Sequence, residues 1–225
     1  AGIPCHVMRL SFTGEASYEL HHQLDRSVEL WQTLMELGRP LGVKPHGLQA
    51  LFGLRLEKGH VIVGQDTELD STPRRINMDW AVKLDKPTFI GRDALIRTAK
   101  LPDERRLFGF TMDGPAPLEG SVIRVNGDIV GHVTSSWDSP MYGHAVLMGW
   151  QKRMPHAAVV EIDGREARVS QLPFYDKDGA RARLIDCSGI PAGPAYTAAA
   201  HPAPAGECHD IDHQPPRSLR FRRRG

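Results

Sequence analysis

Cysteine is scarce in this sequence. Cys5, Cys187 and Cys208 are the only three; odd in number and far apart, they exclude a disulfide framework and point to a reducing, cytoplasmic compartment. Charge imbalance is also missing. With 28 basic and 27 acidic residues the formal net charge is +1, which removes the global electrostatic case for a nucleic-acid or membrane partner. No apolar run approaches the ~20 residues of a membrane-spanning helix. The opening Ala1-Gly2-Ile3-Pro4-Cys5 lacks the basic flank and apolar stretch of a signal peptide, and lacks a Met, so a fragment or processed product is expected. There is no Gly-x-Ser-x-Gly, phosphate-binding loop or Gly-x-Gly-x-x-Gly, hence no self-contained catalytic motif and no dinucleotide or flavin fold of the chain's own.

What is present is enough for a core: 225 residues, of which 40% are hydrophobic, fit one large domain or two small ones. From His6 to Phe12 alternate residues Met8, Leu10 and Phe12 share a face, as in a half-buried strand. Thr13–Ala16 reads as a turn, and Tyr18, Leu20, His22 and Leu24 continue as the second strand of a hairpin, with Glu19 on the opposite face. Leu30, Trp31, Leu34 and Leu37 then form a helical stripe. Ser27 or Asp25 is placed to cap it and Gly38, with Pro40 behind, to end it. A second helix is expected from Gly47 to Lys58, stopped by Gly59, and a third from Arg92 to Thr98. The order strand, strand, helix, helix, strand, helix predicts an α+β layer over residues 1–103. Residues 104–185 change character. Asn126-Gly127 and Asp163-Gly164 sit between runs rich in Val and Ile, and each pair suits a two-residue primed turn, so a small antiparallel β-barrel or sandwich follows. From 186 to 225 periodicity is lost, Pro191, Pro194, Pro202, Pro204, Pro215 and Pro216 accumulate, and the chain closes on a basic run; this predicts a disordered tail.

Four constellations invite a chemical reading. Cys208, His209 and His213 with Asp210 and Asp212 carry metal-ligand chemistry but lack a second ligand pair at regular spacing, so no metal is assigned. His132, Ser135, Ser136 and Asp138 suggest a triad on spacing alone, which is weak because triads are recognised by geometry. Arg55, Glu57 and Lys58 crowd one helix end, either as working groups or as a solvated terminus. Glu19 is either a solvent-facing strand residue or a carboxylate able to grip the N–H/NH₂ edge of a planar heterocycle such as a pterin.

Arg9-Leu10-Ser11-Phe12-Thr13-Gly14-Glu15-Ala16-Ser17-Tyr18-Glu19-Leu20 resembles the signature of the glycine-cleavage T-protein (aminomethyltransferase) family. Leu54-Arg55-Leu56-Glu57-Lys58-Gly59 resembles its helix-end motif, and Phe89-Ile90-Gly91-Arg92-Asp93-Ala94-Leu95 a third segment. Val61–Thr67, Gly131–Ser136 with Ser139-Pro140, and Phe174–Arg181 are similar to the C-terminal part of sarcosine oxidase alpha subunits in particular. The resemblance covers roughly residues 6 to 185.

The resemblance implies a ferredoxin-like, folate-binding α+β domain that lacks its N-terminal portion, followed by a C-terminal barrel. It implies tetrahydrofolate as cofactor, with Glu19 on the pterin edge and Phe12, Tyr18, Arg55 and Tyr175 among the folate-binding residues. Phe12 stands where relatives often carry Tyr, and Leu51 where T-proteins carry an Arg that meets the folate carboxylates. No catalytic residue is assigned, because the family's general-base Asp belongs to a portion this sequence does not contain. Flavin is expected only on a partner subunit, which would oxidise a secondary amine such as sarcosine to an imine; the folate module would then capture the one-carbon unit as 5,10-methylenetetrahydrofolate. The alternative is a non-catalytic remnant or assembly module with an incomplete folate pocket.

Overall fold

Two tight turns organise the C-terminal half. Asn126 and Gly127 take φ of 51° and 87°, Asp163 and Gly164 take 50° and 69°, the pair of positive values that primed two-residue turns require. The first joins β4 (Val122–Val125) to β5 (Asp128–Ser139) and the second joins β7 (Val159–Ile162) to β8 (Arg165–Ser170). With β3 (Arg105–Met112) and β6 (His144–Lys152) they close an antiparallel barrel in the order β3-β6-β5-β4-β7-β8, sealed by the β8–β3 pairing. The barrel expected over this span is therefore present. The computed structural model describes residues 2–102, 105–152 and 158–183; the tail expected at 186–225, with its Cys/His/Asp cluster, lies outside the described residues.

Strand alternation places two apolar layers. Phe110, Met112, Ile123, Val133, Leu147 and Ile162 fill the barrel interior. Val146, Met148 and Trp150, on the other face of β6, pack outward with Leu107 and with Leu56. β6 is buried on both faces and so reads as a continuous apolar run rather than an alternating one. The outer layer receives α2 (Leu48–Lys58), whose end is closed by Gly59 in the left-handed conformation at φ 78°. Gly53 lets α2 lie flat against the barrel: a Cβ there would fall inside van der Waals contact of the Trp137 ring.

The N-terminal part holds the expected helices α1 (Ser27–Gly38), α2 and α3 (Arg92–Thr98), but several local expectations need correction. The hairpin strands are short, β1 (His6–Met8) and β2 (Glu19–His21), paired as His6↔His21, Val7↔Leu20 and Met8↔Glu19. Between them runs a long loop rather than a tight turn, because its side chains are tied to distant parts of the chain. Neither Ser27 nor Asp25 caps α1 through its side chain. Asp25 belongs to a preceding 3₁₀ turn, Leu24–Arg26, and the Ser27 hydroxyl donates back to the Leu24 carbonyl at 2.8 Å. The strand expected between α2 and α3 does not form among the described residues. Turns replace it, fixed where the Asp66 side chain accepts the Ile62 N–H at 2.8 Å.

Candidate ligand-binding site

The site is built outward from a buried ion pair. Arg55, on the last turn of α2, places Nη1 2.6 Å from Asp66 Oδ2; the two side chains are 2% and 0% exposed. Thr134 and Ser135 of β5 donate their hydroxyls to Asp66 Oδ1, each at 2.6 Å, and Arg55 Nη2 donates to Ser135 Oγ at 2.7 Å. Trp150 Nε1 donates to the Asp66 carbonyl at 3.1 Å. The Asp66 carboxylate thus joins α2, the turn after it and β5, and its backbone carbonyl adds β6. An ion pair this deep holds only because the remaining lone pairs are filled.

The rest of the helix end is buried too. The solvated-terminus reading of Arg55, Glu57 and Lys58 is therefore wrong: packing against the barrel leaves none of the three exposed. Glu57 accepts the Ser139 hydroxyl at 2.5 Å. Burial pushes its carboxyl above the usual carboxylate range, against the opposing hydrogen bonds from Ser139 and the Met141 backbone. Burial, with the Glu57 charge adding to it, also pushes the neighbouring Tyr142 phenol up to about 12. Lys58 reaches the other way. Its Nζ lies 2.5 Å from the Asp176 carbonyl and 3.0 Å from Asp176 Oδ2, and 4.9 Å from the Tyr175 ring centroid. Burial pushes the Asp176 carboxyl up, but the Lys58 ammonium and the N–H groups of Ala180 and Arg181 outweigh it and hold it below its ordinary value.

On this platform sits the loop between β1 and β2. The Gly14 N–H donates to Ser11 Oγ at 2.9 Å. At φ +89° Gly14 lies so close to Lys58 that a Cβ would stand 2.6 Å from its side chain, so glycine is required twice over. His60 Nδ1 bonds the Phe12 carbonyl at 2.8 Å, and burial lowers the imidazole pKa. Tyr175 donates its hydroxyl to the Thr13 carbonyl at 3.4 Å. Burial, aided by Glu15, pushes that phenol up to about 12. Arg181 pairs with Glu15 at 2.8 Å, and Arg9 Nη2 donates to the Ala182 carbonyl at 2.9 Å. The loop is therefore clamped to segment 175–182 across most of the chain's length. A groove of about 600 Å³ opens beside it, lined by His60, Met78, Trp80, Leu172, Lys177 and Arg183 among others, within the size range of small-molecule sites.

The sequence candidates divide on this geometry. Phe12, Tyr18 and Glu19 leave the loop and β2 with their side chains exposed: Phe12 36%, Tyr18 58% and the Glu19 side chain 52%. The described polar partner of the Glu19 carboxylate is His21, 3.1 Å away. Tyr175 joins them at the loop's base. Arg55 does not: it is 2% exposed, and Asp66, Ser135 and the His60 carbonyl occupy its two terminal nitrogens. The triad reading fails on placement. Ser135 is bound to Asp66, His132 lies 3.7 Å from Glu68, and Asp138 is exposed and accepts the Ala116 N–H. Sequence reasoning missed Asp66, His60 and Asp176. Asp66 and Asp176 stand in the quoted Val61–Thr67 and Phe174–Arg181 motifs, a signal that was available, whereas His60 acts through a contact 48 residues away at Phe12.

The family description "GCVT N-terminal domain" matches residues 1–86, and "Glycine cleavage T-protein C-terminal barrel domain" matches residues 105–176. The chain belongs to the glycine-cleavage T-protein family. The aminomethyltransferase of Halothermothrix orenii is 38% identical over 175 residues, covering 75% of this chain and 49% of that protein. The aminomethyltransferase of Streptomyces avermitilis is 34% identical over 187 residues, covering 78% and 50%. Among solved structures, the glycine cleavage system aminomethyltransferase T of Bartonella henselae superposes with a TM-score of 0.65 at 28% identity, covering 75% of this chain and 49% of that one. The chain thus spans about half the length of these T-protein relatives. No helix among the described residues is long and apolar enough to cross a membrane.

Proposed function

We propose that residues 1–185 form the folate-binding, one-carbon-transfer module of a sarcosine-oxidase-alpha-like enzyme, with an α+β part over 1–103, a barrel over 104–185 and a cytoplasmic location. One observation carries the reading. The signature loop spends its polar backbone on the platform behind it, while Phe12, Tyr18 and Glu19 keep their side chains exposed, the Glu19 carboxylate with the exposed His21 as its described polar partner. Exposed aromatic faces and an exposed acceptor pair suit a pterin, which stacks through its rings and donates through its N–H/NH₂ edge. Lys177 and Arg183 at the neighbouring groove supply cations suited to the carboxylates of a folate tail. Tetrahydrofolate, when bound, supplies the nucleophilic nitrogen that captures the one-carbon unit as 5,10-methylenetetrahydrofolate. The chain's own part is to orient: Glu19 fixes the ring edge, the clamped loop fixes Glu19, and Arg55 acts as a positioning residue through Asp66 rather than by touching the ligand. Orientation of this kind is worth up to ~7–11 kcal/mol of a bimolecular barrier.

The narrower assignment to sarcosine oxidation rests on Val61–Thr67, Gly131–Ser136 and Phe174–Arg181, with a flavin-bearing partner subunit and a secondary amine such as sarcosine as implied partners. The test is calorimetric titration of the chain with tetrahydrofolate. Glu19→Ala is expected to weaken binding by ~1.5–3 kcal/mol, the worth of a hydrogen bond to a charged group. Equal affinity of variant and parent removes Glu19 from the site. A parent chain that shows no binding favours the assembly-module reading.

A further inference from the structure

Three buried hydrogen-bond donors on α2 and β5 have nothing to donate to, and their side chains line one cavity. Arg55 Nε, Ser136 Oγ and Trp137 Nε1 each lack a hydrogen-bond partner among the described residues. The cavity measures about 200 Å³ and lies between α2 and β5. Arg55 commits its two terminal nitrogens to Asp66, Ser135 and the His60 carbonyl, so Nε is the nitrogen left over. Gly53 lines the same cavity, and a Cβ there would stand 2.7 Å from Trp137 Nε1. The missing side chain is what gives the indole N–H edge its place at this wall. Buried donors without acceptors are costly, and native folds seldom keep them without an occupant. One water takes up roughly 30 Å³, a small part of this space.

The rim has the opposite character. Glu119 is exposed and also lines the cavity. Its described hydrogen bond, from Gln65 Nε2 at 2.8 Å, leaves most of the carboxylate's lone pairs free. Arg55 and Glu119 are the charged residues of the lining, and Asp66 already neutralises Arg55. The uncompensated charge at the cavity is therefore that of Glu119. A simple anion would gain the donors and be repelled at the rim. A simple cation would gain Glu119 and leave the donors unmet. A molecule carrying both signs satisfies both ends.

We propose that this cavity binds a small α-amino acid as its zwitterion, the carboxylate accepting from Arg55, Ser136 and Trp137 and the ammonium donating to Glu119. Charge-assisted hydrogen bonds at both ends give the recognition its strength. Phe52 and Leu56 supply apolar wall, so a short apolar side chain such as a methyl group suits the remaining volume and a charged one does not. The cavity shares no residue with the loop that carries Phe12, Tyr18 and Glu19. The proposal does not rest on folate binding, and the two fail separately.

The test is magnetic resonance on the full, isotope-labelled chain without folate, read at the Trp137 indole N–H, whose signal is assigned by its loss in Trp137→Phe. L-alanine is expected to move that signal saturably. Acetate and methylammonium, each carrying one charge of the zwitterion, should need at least tenfold higher concentrations. Glu119→Gln, at an exposed position, should weaken L-alanine at least tenfold while acetate binds no more weakly than to the parent. Ser136→Ala should weaken both carboxylates, with the backbone amide signals of α2 and β6 left in place as the check on folding. Three results overturn the proposal: an indole signal that L-alanine does not move, equal affinity for acetate and L-alanine, or a Glu119→Gln variant that binds L-alanine as the parent does.

Discussion

Replacing Asp66 by Ala tests the buried hub directly. The substitution removes the carboxylate partner of Arg55 Nη1 and the acceptor for Thr134, Ser135 and the Ile62 N–H at once. Arg55, 2% exposed, is then left as an uncompensated charge among Leu56, Trp137 and the barrel wall. Breaking a buried pair in this way costs ~3–5 kcal/mol, against a total of ~5–15 kcal/mol for a typical domain. For a domain of this size each kcal/mol moves the melting temperature by ~2–4 °C, so a fall of ~6–20 °C is expected. Chemical denaturation followed by tryptophan fluorescence gives the free energy independently. Arg55→Met adds the control: combined with Asp66→Ala it removes both charges, and the double variant should be less destabilised than the sum of the singles by at least ~2 kcal/mol, the mark of direct coupling. An Asp66→Ala cost below ~1 kcal/mol, or strictly additive singles, would refute the hub.

Other perturbations follow from single contacts. Gly53→Ala improves helix propensity but drives a methyl into Trp137, so a net loss of ~1–3 kcal/mol is expected in the same denaturation assay. Gly127→Val forces a β-branched residue to φ 87° and should cost well over ~1 kcal/mol, with the loss visible as frayed amide exchange across β4 and β5. Glu57→Gln removes a charge that burial disfavours. Because the folded pKa of Glu57 is raised above 4.5, its stabilising protonation is complete below that value and is lost as pH rises through the folded pKa. The variant should therefore melt higher than the parent at pH 7–8, with the gap narrowing as pH falls toward 4.5; a gap independent of pH would remove Glu57 from the account.

Legibility in the sequence tracked the range of the interactions. The two primed turns are encoded by adjacent residue pairs, and the stop of α2 by Gly59, so local chemistry alone places them. β6 carries its apolar residues on consecutive positions because both faces are buried, and periodicity cannot tell such a run from a helix segment. The motif around Arg55 was visible, but not its burial, because the groups that surround it lie 11 and 80 residues away at Asp66 and Ser135. α1 was legible as a helix and misleading as a packing element. Its apolar stripe predicts a covered face, and that face is bare.

The clamp on the signature loop also has a temporal meaning. Arg9 is held by Ala182 and Thr13 by Tyr175, contacts spanning 173 and 162 residues. Contacts of such separation close late, since the entropy of a large loop must be overcome before they form. As the chain emerges from the ribosome, the loop that shapes the candidate site is made before the barrel and secured after it. The hairpin waits, with Phe12 and Tyr18 uncommitted, while the whole barrel is synthesised and closes. A message cut short after the barrel but before Tyr175 would yield a closed, durable sheet carrying an untethered recognition loop.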